Sequence, residues 1–105
     1  MFNFEKFIGD LEDLCRDHDK MTFSQELELK KKLAAHFGRV TELYYKISDI
    51  ENRAVEGVIA YVETDGKILY WDTFRKVVRC DTSEIHISEN LASSVSIIFD
   101  DTDNF

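Results

Sequence analysis

Proline is absent from this chain of 105 residues, and glycine occurs four times, at Gly9, Gly38, Gly57 and Gly66. Without clusters of either residue there is no linker between separate domains, no low-complexity segment and no internal repeat. One domain follows, since domains mostly run from roughly 50 to 250 residues. Cysteine is scarce too: Cys15 and Cys80 stand alone, whereas a disulfide framework at this size normally needs about four. Both sit among apolar neighbours and are expected as reduced, half-buried thiols. The opening Met1-Phe2-Asn3-Phe4-Glu5 has neither the basic start nor the apolar centre of a secretory leader. No apolar stretch approaches the ~20 residues that span a bilayer. A cytoplasmic location is the expectation.

Basic residues are missing from one end. Residues 81–105 carry six acids (Asp81, Glu84, Glu89, Asp100, Asp101 and Asp103) and no Lys or Arg. Residues 1–20 carry six acids against three bases, and residues 21–80 are nearly balanced with nine acids against ten bases. The formal net charge of −8 therefore comes from the two ends. Such a field repels phosphate, which argues against direct binding to nucleic acid or to an anionic membrane. It suits a basic partner.

What is present is enough for a core: 44% of residues are hydrophobic and 12% aromatic, far from the composition of a disordered chain. Phe4, Phe7, Ile8, Leu11, Leu14 and Cys15 recur at helical steps, and the spacing predicts an acidic-backed amphipathic helix over 4–17. Thr22-Phe23-Ser24-Gln25 matches a capping box. Leu29, Leu33, Phe37, Val40, Tyr44 and Ile47 then continue at steps of three and four, which predicts a long second helix over 23–47. Gly38 argues for the alternative, a helix ending there and an extended segment after it.

Past residue 53 β-branched and aromatic residues dominate. Val55 to Val62 and Ile68 to Trp71 read as strands joined at Asp65-Gly66, a strong hairpin signal. Arg75 to Cys80 and Val95 to Phe99 read as two more, and Glu84 to Ser88 as a short fifth. The expected architecture is α+β: two N-terminal helices on one face of a four- to five-stranded antiparallel sheet. One domain over 1–99 would end in a frayed acidic tail over 100–105.

No motif for catalysis is present. His18, His36 and His86 fall on different elements without the pairing of a helical metal site, and His18, between two aspartates, is expected to be a solvated loop residue. Cys80 and His86 have no spacing that requires them to meet. The paired acids lack the burial that would split their pKa values, and the acidic tail lacks the glycine and distal Glu of a calcium loop. Lys30-Lys31-Lys32 is explained by the pairs Glu26–Lys30 and Glu28–Lys32. No cofactor or metal is expected.

The strand Ile68-Leu69-Tyr70-Trp71 is apolar on both faces. If helices cover one face, an aromatic anchor stands on the other, rimmed by Glu63, Asp72, Asp81 and Glu84. With His86, Asp100, Asp101 and Asp103 these form the expected partner-binding set. The functional expectation is an acidic inhibitory protein that neutralises a basic target. That target would be a toxin nuclease met by its immunity protein, or a nuclease blocked by a nucleic-acid mimic. The alternatives are a small acidic chaperone or adaptor that dimerises, and a pocketed small-molecule binder whose cavity would be lined by His36, His86 or Tyr61.

Overall fold

Helix α1 (Phe4–Cys15) begins where Asn3 caps it, its Oδ1 accepting from the Lys6 N–H at 3.0 Å. Ile8, Leu11 and Cys15 recur on one side and are buried. The chain is described here by a computed structural model that covers residues 1–45 and 58–100. After α1 a 3-10 turn (His18–Lys20) leads to helix α2 (Phe23–His36), whose capping box is complete. The Gln25 N–H donates to Thr22 Oγ1, and the Thr22 N–H donates to Gln25 Oε1 at 2.9 Å.

The second helix stops at His36, well short of the expected residue 47, and strand β1 (Arg39–Tyr45) replaces its second half. The physical reason lies at Gly38. A Cβ built there would sit 1.8 Å from the Glu63 carbonyl oxygen. Only glycine lets the chain pass this close to the next strand.

Strands β2 (Val58–Thr64), β3 (Lys67–Asp72), β4 (Val77–Cys80) and β5 (Ser83–His86) follow. With β1 they form one antiparallel sheet in the order β1-β2-β3-β4-β5. Val55, Glu56 and Gly57, at the start of the expected first strand, lie outside the described residues. The β2–β3 hairpin turns on Asp65 and Gly66, both at positive φ (49° and 77°), as their sequence predicts. Thr73 clamps the β3–β4 turn to the start of β2: its Oγ1 accepts from the Val58 N–H and donates to the Val58 carbonyl.

The last element corrects a second expectation. Val95 to Phe99 is not a strand but part of helix α3 (Glu89–Asp100). Ser88 starts it, its Oγ accepting from the Leu91 N–H at 3.1 Å. Leu91, Ala92, Val95 and Phe99 fall on one buried side. All three helices press on the same face of the sheet, where their apolar sides meet Ala60, Val62, Leu69, Trp71, Val78 and Cys80. Trp71 is fully buried at the centre, with the Phe37 ring 5.3 Å and the Phe99 ring 6.2 Å away. Among the described residues no helix is long and apolar enough to cross a membrane.

Candidate functional site

Strand alternation decides which side chains the helices leave uncovered. In register across the sheet, Tyr61 lies beside Tyr70, Tyr70 beside Arg79 and Arg79 beside Glu84. A neighbouring row holds Ile59, Asp72, Val77 and His86. These residues alternate with the core positions, so they face away from the helices. The Tyr61 and Tyr70 rings meet edge to face at 5.2 Å, and the Arg79 guanidinium lies 4.3 Å from the centre of the Tyr70 ring. Ile68, next along β3 on the same side, is 58% exposed. This is an aromatic and aliphatic patch with a stacked cation at its middle.

The expected partner-binding residues divide sharply. Tyr70 is on this face, and Glu84 and His86 are exposed on the edge strand β5. Trp71 points the other way and is fully buried, so it has no surface to give. Asp72 is buried as well, its Oδ1 accepting from the Arg75 N–H at 3.0 Å while Oδ2 sits 3.6 Å from the Arg75 guanidinium. Glu63 is 3.8 Å from the Arg39 guanidinium, and Asp81 bonds Lys67 at 3.1 Å. That bond raises the pKa of the lysine above the ordinary range. Asp100 is the last residue of α3, and Asp101 and Asp103 lie outside the described residues. The rim of carboxylates is thus partly buried and partly neutralised.

His18 corrects the expectation of a solvated loop residue. Its side chain is only 12% exposed, with Nε2 2.8 Å from Glu26 Oε1 and Nδ1 2.8 Å from Ser94 Oγ. The Glu26 carboxylate accepts from Nε2–H, and the single Ser94 hydroxyl proton is shared between His18 Nδ1 and the Asn90 carbonyl. Ser, His and Glu are the residue types of a hydrolytic triad. Here the serine is 3% exposed and its Oγ also lies 2.9 Å from the Asn90 carbonyl, which leaves the hydroxyl no face to present to a substrate. The network ties the 3-10 turn, α2 and α3 together. Sequence offered no signal for it, because His18, Glu26 and Ser94 meet only through tertiary packing.

Cys15 and Cys80 are both free and buried. Burial pushes both thiols above their ordinary pKa. At Cys15 a hydrogen bond with Ser94 pulls the other way, and at Cys80 the neighbouring Asp81 adds to the rise. Neither has the electropositive surroundings of a reactive cysteine. Among the described residues no three His, Cys, Asp or Glu side chains gather as metal ligands.

Among the described residues, surface grooves include the following two. One of about 730 Å³ lies between the end of α1 and α2, with Leu14, Met21 and Leu29 below and Asp17, Glu28 and Lys32 above. The other, about 600 Å³, lies between the N-terminal residues and β5. His36, His86 and Tyr61 line neither, so the cavity expected of a small-molecule binder is not formed by these grooves. Compared with known proteins, the chain matches no family model, no curated protein and no solved structure.

Proposed function

We propose that this chain is an inhibitory binding protein that docks a basic protein against the face of its sheet opposite the three described helices. The observation that carries this reading is the row Tyr61–Tyr70–Arg79 beside Ile68, on the face that no described helix packs against. Tyr and Arg are the residues that most often anchor protein interfaces. The net charge of −8 supplies attraction toward a cationic target at long range. A toxin nuclease, whose cleft must be positive to hold nucleic acid, is the partner class that fits.

Of the two versions, the immunity-type reading fits better than the nucleic-acid mimic. A mimic needs a row of unpaired carboxylates standing where phosphates stand. On this face Asp72 is buried, while Glu63 and Asp81 are ion-paired. Contact energy is therefore assigned to the aromatic patch, and the charge excess to steering. A homodimer through the same face is the rival, favoured by the exposure of Ile68.

Affinity capture from the source cell, with wild-type protein and Tyr70→Ala side by side, tests the reading. The expected outcome is one basic protein, released by raised salt and strongly depleted with the variant. Equal recovery on both, or an acidic or neutral partner indifferent to salt, would overturn it. Sedimentation of the purified chain tests the rival: a dimer dissociated by Ile68→Asp would assign the patch to self-association.

A further inference from the structure

The sheet has two edges, β1 and β5. In the β4–β5 hairpin Cys80 pairs with Ser83 across a two-residue loop, which makes them a hydrogen-bonded pair. Alternation makes Val78 and Ile85 the next such pair. The Ile87 N–H donating to the Lys76 carbonyl at 2.9 Å keeps the same phase. Glu84 and His86 therefore turn their N–H and C=O groups outward, away from β4. Among the described residues no neighbour takes them.

The space alongside is the groove of about 600 Å³ between β5 and residues 1–5. Phe2, Phe4 and Ile85, all half-buried and packed on the core, form its apolar side. Glu5 and Glu84 stand at its rim. Neither carboxylate has an ion-pair partner among the described residues. Arg79, opposite Glu84 in register, is laid on the Tyr70 ring, and Lys6, next to Glu5, bonds Asp10 at 2.9 Å. An open strand edge, an apolar floor and unpaired acids thus converge at one place.

We infer that this groove takes an extended segment of a basic partner protein as an added strand beside β5. Glu84 and His86 supply the main-chain hydrogen bonds, and strand alternation sets the sequence of the guest. Every second guest residue is apolar and rests on Phe2, Phe4 and Ile85, while the intervening Lys or Arg residues reach Glu84. A second copy of this chain is the poorer guest, because two bodies of net charge −8 repel. The inference rests on the basic-partner reading above but places a separate contact, away from the tyrosine pair.

The test uses the full chain and a short fluorescent peptide alternating Val and Lys, followed by anisotropy at low salt and by backbone amide shifts. Binding is expected, with the largest shifts at Glu84 and His86. Glu84→Pro removes the outward N–H and the carboxylate while leaving the inward ladder intact, since edge strands accept proline there. It should weaken binding roughly tenfold. Glu84→Gln, which keeps the backbone donor, should weaken it by a smaller factor. A peptide N-methylated at alternate positions should fail. The inference is overturned by no binding, by equal binding to Glu84→Pro, or by shifts centred on Tyr61 and Tyr70. That last outcome leaves the sheet-face reading standing. Loss of the captured partner's dependence on Tyr70, with the peptide still bound at Glu84, would remove that reading alone.

Discussion

Trp71 is the only tryptophan in the chain, and its buried indole N–H has no hydrogen-bond partner among the described residues. The ring contributes through its packing against Phe37 and Phe99 rather than through its polar atom. Trp71→Ala is therefore expected to cost about 3–5 kcal/mol in urea unfolding, and Trp71→Phe much less, because it removes an unsatisfied donor along with some volume. A Trp71→Phe variant as unstable as Trp71→Ala would show that the N–H has a partner after all. The His18 network predicts the opposite behaviour, since both of its ring nitrogens are engaged. His18→Ala and Ser94→Ala should couple by about 1 kcal/mol in a double-mutant cycle, and additive losses would mean that the 2.8 Å contact carries no energy of its own. The buried thiols add a pH dependence whose sign is fixed. Burial raises the pKa of Cys15 and Cys80 in the folded state, so an unfolded chain ionises them first. Their stabilising share is complete below the ordinary thiol pKa and drains away as pH climbs through and above it. Cys15→Ala should flatten that alkaline decline in the unfolding midpoint, and an unchanged slope would assign the decline elsewhere.

Two glycines separate backbone constraint from backbone freedom. At Gly9, within α1, an added Cβ meets nothing within 4 Å, so Gly9→Ala should gain up to about 1 kcal/mol from helix propensity. At Gly38 the same methyl would collide with the Glu63 carbonyl, and Gly38→Ala should lose about 1–3 kcal/mol as β1 is pushed off β2. Thermal melts of the two variants should move in opposite directions, and a neutral Gly38→Ala would mean that the two strands separate at no cost. The same glycine shows where pattern reading ends. Val40, Tyr44 and Ile47 continue the spacing of Leu29 and Leu33, and the only local sign against a continuing helix is Gly38 itself, which the periodicity outweighs. The contact that settles it, Gly38 against Glu63, joins residues far apart in the chain. The Val95–Phe99 segment failed differently. β-Branched composition pointed to a strand, while the spacing of Leu91, Ala92, Val95 and Phe99 after the cap at Ser88 was the better signal. Where the determinants are local, sequence was enough: the Thr22–Gln25 box, the Asp65-Gly66 turn, the fifth strand and the α+β class were all legible. Of the site, Tyr70, Glu84 and His86 could be placed, but the face taken by Trp71 depends on strand register, which pattern alone leaves open.

The N-terminal acid excess and the aromatic patch lie in different regions of the molecule. The acid excess of the first residues lies on the helix layer, where Glu5, Asp17 and Asp19 are exposed, while the aromatic patch lies on the opposite side of the sheet and carries Arg39 and Arg79 among its acids. On the proposed reading, a partner would be drawn in by the field of the whole body and held by a patch that is itself nearly balanced. These two roles separate in kinetics. Long-range attraction acts mainly on association and is screened by salt, because the Debye length is only about 8 Å at physiological ionic strength. Desolvated aromatic contacts act mainly on dissociation. Against the captured partner, neutralising Asp17 and Asp19 to Asn should slow association and flatten its salt dependence while leaving dissociation nearly unchanged. Tyr70→Ala should do the reverse, speeding dissociation by roughly tenfold or more with association altered little. Surface plasmon resonance across a salt series reads both rates at once. If the aspartate variants instead lengthened or shortened the bound lifetime, the helix layer would itself be a contact surface. The partner would then sit on the acidic side of the molecule, away from Tyr70.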